Sequence, residues 1–138
     1  MKKQSTPNLM LTELVIVLFF FSLSAAVILQ LFVASHNASV KSEMLNAATL
    51  RAEDISNRFS AAEDAEAFFA SIGFENEGED QLVKRDLIGT RNVIFSLTGG
   101  RQDADSGAFY HYQLTAIHDQ DELLSIPIAR YIPKEEQP

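Results

Sequence analysis

The hydrophobic pattern changes character three times along the chain. Of the 26 residues from 9 to 34, 21 are apolar, and residues 14–34 contain no charge, glycine or proline. That run opens with Leu14, Val15, Ile16, Val17, Leu18, Phe19, Phe20 and Phe21 in unbroken succession. Coiled as a helix it would reach about 31 Å, the thickness of the hydrocarbon core of a bilayer. The rest of so short a chain cannot cover a helix that is apolar on every side. The run therefore reads as a membrane-spanning helix. Residues 35–59 also lack glycine and proline, but here the apolar positions are periodic. Val40, Met44, Ala48, Ile55 and Phe59 recur at helical spacing, with Ala47 and Leu50 nearby. Lys41, Glu43, Glu53, Asp54 and Arg58 are left for the solvent side. The expectation is one long helix over residues 9–59, apolar all round at first and amphipathic afterwards.

Ser60 and Glu63 have the spacing of a capping box and predict the start of a second, short helix. Ala62, Ala65, Phe69 and Ile72 would share its buried face, and Gly73 would stop it. Residues 75–80, ENEGED, read as an acidic loop. Beyond it the period becomes two. Residues 82–88 are a candidate strand. Val93, Phe95 and Leu97 point one way in a second strand, and Tyr110, Tyr112, Leu114 and Ala116 in a third. Leu124, Ile126, Ile128 and Ile132 align in a fourth, where Pro127 implies an edge or a bulge. Residues 98–107 read as a loop in which Gly99 and Gly100 form the turn, and residues 119–122 as a tight polar turn. Short connections imply antiparallel neighbours. The fold class expected is α+β: a long N-terminal helix packed on a small antiparallel sheet of three to four strands. The chain divides into a leader (1–8), a membrane helix (9–34), an outer domain (35–134) and a tail (135–138).

Charge sets the orientation. The chain of 138 residues has 11 basic and 19 acidic side chains, a formal charge of −8. Lys2 and Lys3 precede the apolar run, so the positive-inside rule leaves the N-terminus in the cytoplasm and the domain outside. The acidic balance argues against a nucleic-acid partner, which requires a basic footprint. There is no cysteine, which excludes disulfides, thiolate metal sites and thiol catalysis. Val33-Ala34-Ser35 is a candidate site for a secretory cut, but the apolar run exceeds the 7–15 residues usual for a signal peptide.

Glu13 stands at the head of the apolar run, with Leu9, Met10 and Leu11 already apolar before it. One reading is an interfacial acid favoured by the helix dipole. The other is a carboxylate set inside an apolar stretch because a partner must pair with it.

The surroundings of Glu13 bear on that choice. The leader MKKQSTPN followed by LMLTELVIVLFFFSLSAAVILQ resembles the N-terminal segment of type IV prepilins and of the pseudopilins of type II secretion and competence systems. In that family a short basic leader precedes a helix whose fifth mature residue is glutamate. If Leu9 is the first mature residue, Glu13 is the fifth. The resemblance implies processing at the Asn8–Leu9 junction by a prepilin peptidase and retention of the helix in the membrane. It further implies pairing of Glu13 with the N-terminal amine of a neighbouring subunit. Its implied partners are the membrane, other pilin-like subunits and assembly-platform proteins. The sequence departs from the family at Asn8, where glycine is usual, at Leu9, where phenylalanine is usual, and at Thr12 and Gln30.

Catalysis has little support, and the chain reads as a non-enzyme. His36 lies just past the apolar run, and His111 and His118 fall on opposite faces of one strand by parity. Neither a nucleophile elbow nor a phosphate-binding glycine loop is present. No cofactor is expected. Calcium is the one cation worth weighing, with Asp103, Asp105, Asp119 and Asp121 as loop oxygen ligands. The seven acids between Phe59 and Val83 read as solvated surface or as a contact for a charged partner. The expected function is a structural filament subunit. The alternative is a bitopic anchored protein whose outer domain binds a partner or ligand without polymerising.

Overall fold

Helix α1 spans Thr6–Ala61 in the structure, a computed structural model that describes residues 6–134. Lys2, Lys3 and the 135–138 tail lie outside the described residues. Pro7 falls in the first turn, where a missing N–H is tolerated, and no glycine or further proline interrupts the helix. By compactness the chain forms two units, Met1–Lys41 and Ser42–Pro138.

In the second unit α1 buries Met44, Ala48, Ala52, Ile55 and Phe59, a stripe of spacing three and four. Leu50, expected beside this stripe, is instead 68% exposed. Two residues beyond Ala48, it is turned about 200° around the helix axis. The second helix, α2 (Ala65–Ser71), starts later than the capping box predicts. Ser60 is still inside α1, its hydroxyl donating to the Ser56 carbonyl. The N-cap is Asp64, whose carboxylate accepts from the N–H groups of Glu66 and Ala67 at 2.9 and 3.1 Å. Gly73 does terminate α2. At φ +95° it donates to the Ala70 carbonyl while Phe74 donates to that of Phe69, the paired bonds of a Schellman motif.

The rest is a five-stranded antiparallel meander of β1 (Glu75–Gly78), β2 (Gln81–Ile88), β3 (Arg91–Ala104), β4 (Gly107–His118) and β5 (Asp121–Pro133), in that spatial order. The expected α+β class holds, with five strands rather than three or four. The extra strand is the acidic segment. Residues 75–78 pair with β2 although every one of them is exposed, because an edge strand needs only backbone pairing. Glu77 also reaches across to form an ion pair with Arg85. The second correction is residues 98–107. Gly99 and Gly100 do not make a turn; β3 runs through them to Ala104, and the turn is Asp105-Ser106. Gly99 has φ +136°, and a Cβ there would collide with the His111 carbonyl and lie 2.8 Å from the Tyr112 Cα. The glycine serves close strand approach rather than chain reversal.

Two other hairpins use two-residue turns with positive φ. Gly89 (φ +64°) joins β2 to β3, and Asp119 and Gln120 (φ 47° and 70°) join β4 to β5. The second is a type I′ pattern, suited to the twist of the strands. Pro127 lies in β5, which is an edge strand as expected, opposite Gln113. The register shift in this pair falls elsewhere, at Ala116/Ile117.

Strand register sorts the sheet into two faces. Val93, Phe95, Leu97, Leu114, Ala116 and Ile128 are buried on the face that meets α1 and α2. The contact is anchored at the end of α1. Phe59 is fully buried, with ring centroids 5.0 Å from Phe69, 5.8 Å from Phe68 and 5.8 Å from Tyr112. Arg130 of β5 donates to the Phe59 carbonyl at 2.8 Å and also to that of Ala62. At the middle of the packed segment Arg51 pairs with Asp86 and donates to the Leu87 carbonyl.

Three predictions arise from this packing. Arg130→Met keeps most of the side-chain volume but removes the side-chain donor from the carbonyls of Phe59, in α1, and of Ala62, just beyond it. It should cost about 2–3 kcal/mol in a denaturant titration of the full chain in micelles. Gln120→Gly removes a non-glycine residue from left-handed backbone in the type I′ turn. It should raise stability by about 0.5–1 kcal/mol, seen as a higher thermal midpoint. The third prediction concerns pH. Burial pushes the Asp86 carboxyl up, but hydrogen bonds from Arg51 and the Leu87 N–H, with the Arg51 and Lys84 charges, outweigh it and hold the group below its ordinary value. A depressed folded pKa contributes stability that is complete above the unfolded value of about 4 and fades as pH falls through the folded value. Stability measured from pH 6 downward should therefore drop less steeply below about pH 4 in Asp86→Asn than in the parent.

Candidate functional site

The first unit has little chemistry beyond one side chain. Its large apolar residues, from Leu9 to Val33, are between 49% and 71% exposed. None of the apolar window is buried in the structure, so this is not a core helix. Among the described residues it is the one helix long and apolar enough to cross a membrane. Leu14, Val15, Ile16, Val17, Leu18, Phe19, Phe20 and Phe21 form its exposed apolar surface, and the Phe19 and Phe20 rings meet edge to face at 5.9 Å.

Polar side chains in this stretch turn back on the helix. Ser22 donates to the Leu18 carbonyl, Ser24 to that of Phe20 and Thr12 to that of Asn8, each at 2.8 Å. A hydroxyl satisfied four residues back adds no unmet polar group in an apolar medium. Glu13 differs. It is exposed, it is the only charged residue from 9 to 34, and none of the described side chains bonds to it. A carboxylate has no donor to give a carbonyl, so the helix cannot satisfy it as it satisfies serine. Asn8 and Leu9, the expected processing junction, lie within α1 rather than before it.

The other candidates separate. Asp103 and Asp105 sit at the β3–β4 hairpin, Asp119 and Asp121 at the β4–β5 hairpin. These are opposite ends of β4, so the four acids cannot share an ion. Asp103 is bonded to Arg101 at 2.7 Å. Among the described residues no group of three or more His, Asp or Glu is arranged to hold a metal. His118 Nδ1 donates to the Asn92 carbonyl at 2.8 Å, His111 is exposed on the opposite face of β4, and His36 is exposed on α1.

The acidic stretch between Phe59 and Val83 proves to be partly structural. Asp64 caps α2, Glu77 pairs with Arg85, and Glu66 pairs with Arg101 at 2.7 Å. The carboxylates of Glu66 and Asp103 hold the Arg101 guanidinium above its ordinary pKa.

One surface escaped the sequence reading. On the sheet face turned away from the helices, the positions of β3, β4 and β5 from Ser125 onward carry no Asp, Glu, Lys or Arg. They are hydroxyls, amides, small residues, His111, Pro127, the aliphatic pair Ile94 and Ile117, and two exposed aromatics, Phe109 and Tyr131, paired across β4 and β5. Gln113 donates to Ser125, which also bonds Thr115, and Gln81 donates to Ser96. The signal was present in the alternation of residues 107–117, whose second face lacks charge. No known protein-family model, curated protein or solved structure matches this chain.

Proposed function

We propose that the chain is a pilin-like or pseudopilin-like structural subunit of a type IV pilus, competence or type II secretion-related filament. The observation that carries the reading is Glu13. It is the single charge in an otherwise neutral apolar helix, and nothing in that helix satisfies it. An acid so placed calls for a partner, and a cation from a neighbouring subunit is the simplest one. The resemblance of residues 1–30 to prepilins supplies that cation as the amine freed at Leu9. The succession of an unburied apolar helix, an amphipathic helix and an antiparallel sheet supports the same reading.

In this mechanism the basic leader stays on the cytoplasmic side and a prepilin peptidase cuts after Asn8. The helix remains in the membrane until assembly-platform proteins pass the subunit into the filament. Glu13 then sets the register between helices, and residues 14–34 pack as the filament core. The domain beyond Ser35 lies on the extracytoplasmic side. No catalytic step is assigned to any residue.

Asn8 favours a second reading. The junction lacks the usual glycine and sits in helical backbone, so an uncut chain would remain a bitopic anchored protein with an extracytoplasmic binding domain. Two measurements separate the readings. N-terminal peptide mass spectrometry on native membranes should find a mature chain beginning at Leu9; a chain retaining Met1 favours the anchor. Glu13→Ala and Glu13→Gln should abolish recovery of the subunit in sheared surface filaments while membrane levels stay near wild type. Filaments containing Glu13→Ala protein at parental levels would sink the filament reading.

A further inference from the structure

We propose that the sheet face turned away from the helices binds a neutral oligosaccharide, with Phe109, His111 and Tyr131 as its stacking surface. The Phe109 and His111 rings are parallel to within 16°, with centroids 5.9 Å apart. Phe109 is 40% and Tyr131 48% exposed. Tyr131 is held in place, its hydroxyl donating to Ser106 at 2.9 Å.

The neighbours of these rings leave them uncovered. Along β4, Phe109 is followed on its other side by Gly107, and across the sheet His111 lies between Gly100 and Ala129. Nothing lies within 4 Å of where a Gly100 Cβ would be. Beside Gly100 and His111 the surface dips into an open cleft of about 630 Å³ whose walls include Gln81 and Thr98 and, farther from the rings, Glu79, Asp80 and Arg101. That volume is in the range that holds small ligands.

The chemistry selects the occupant. A pyranose ring has an apolar C–H face and a rim of hydroxyls. The face suits an exposed aromatic ring, and the rim suits amides and hydroxyls such as Gln81, Thr98 and Gln113. No fixed charge stands beside the three rings on β3, β4 and β5, and the carboxylates at the far side of the cleft, Glu79 and Asp80, accept from hydroxyls but repel a polyanion. A protein partner would call for an apolar centre with a polar rim. Here the arrangement is reversed, with Thr98, Gln113 and Ser125 central, the aromatics at one end and Ile94 with Ile117 at the other.

The test is calorimetric titration of the full chain, in a detergent without a sugar headgroup, with cellohexaose, chitohexaose and maltohexaose. At least one should bind saturably. Phe109→Ala and Tyr131→Ala should each weaken it at least about tenfold. Gly100→Leu should abolish binding by covering His111, and circular dichroism should show its fold retained, since the added side chain meets open space. No binding of any of the three by the parent at millimolar sugar would overturn the proposal, as would binding that survives Gly100→Leu in a folded variant. If the sugars fail while Phe109→Ala dissolves a dimer seen by sedimentation, the face belongs to a second copy of the chain, and the proposal falls.

Discussion

The second unit depends on how the end of α1 is closed. A helix that stops against a sheet leaves its last carbonyls short of donors, and here that of Phe59 has a long bond from the Ala62 N–H at 3.3 Å. Arg130 resolves this from the far edge of the sheet, donating to the carbonyls of Phe59 and Ala62. Its guanidinium carbon lies 6.0 Å from the centre of the Phe59 ring, so the same group that caps the helix also packs against its largest buried residue. Around that ring gather Phe68 and Phe69 from α2 and Tyr110 and Tyr112 from β4. Residues far apart in sequence are thus fixed at one point. Both bonds come from one guanidinium nitrogen, Nη1.

The same helix solves a different problem in each unit. From Ser42 on, it lays a stripe of Met44, Ala48, Ala52, Ile55 and Phe59 on the sheet, and small residues at 48 and 52 allow close approach. Before Lys41 it has no such stripe, and the hydroxyls of Thr12, Ser22 and Ser24 are returned to its own backbone. That economy is informative about Glu13. Every uncharged hydroxyl in the stretch can be silenced within the helix, but a carboxylate cannot. An acid at the head of the apolar run is therefore the one side chain there that the helix leaves open to a partner.

Much of the fold was legible because it follows from periodicity. The helical stripe of α1, the alternating faces of β3 and β4, the stop at Gly73 and the edge position of Pro127 all express local rules. The failures have physical causes as well. Residues 75–78 are polar and wholly exposed, so no alternation betrays an edge strand held by backbone pairing. Gly99 and Gly100 carry the composition of a turn, yet the strand needs Gly99 for close contact with the backbone of β4, a long-range demand. Ser60 with Glu63 has the spacing of a cap, but Asp64 sits where the chain leaves α1. Glu13 was legible as an anomaly from composition alone. The neutral face was not, because absence of charge on alternate positions becomes a surface only when the register of three strands is known.

That face also explains where the charges went. Five of the six arginines are engaged in holding the fold: Arg51 with Asp86, Arg58 with Asp54, Arg85 with Glu77, Arg101 with Glu66 and Asp103, and Arg130 with the end of α1. Unmatched acids are left mainly on helix surfaces and hairpin ends, such as Glu79, Asp105 and Asp121. The result is an acidic periphery around a sheet face with no fixed charge on its central strands. Repulsion among like-charged copies would discourage nonspecific association through the periphery. The neutral face meets no such barrier, and its exposed aromatics lose little conformational freedom on contact because few torsions need be fixed.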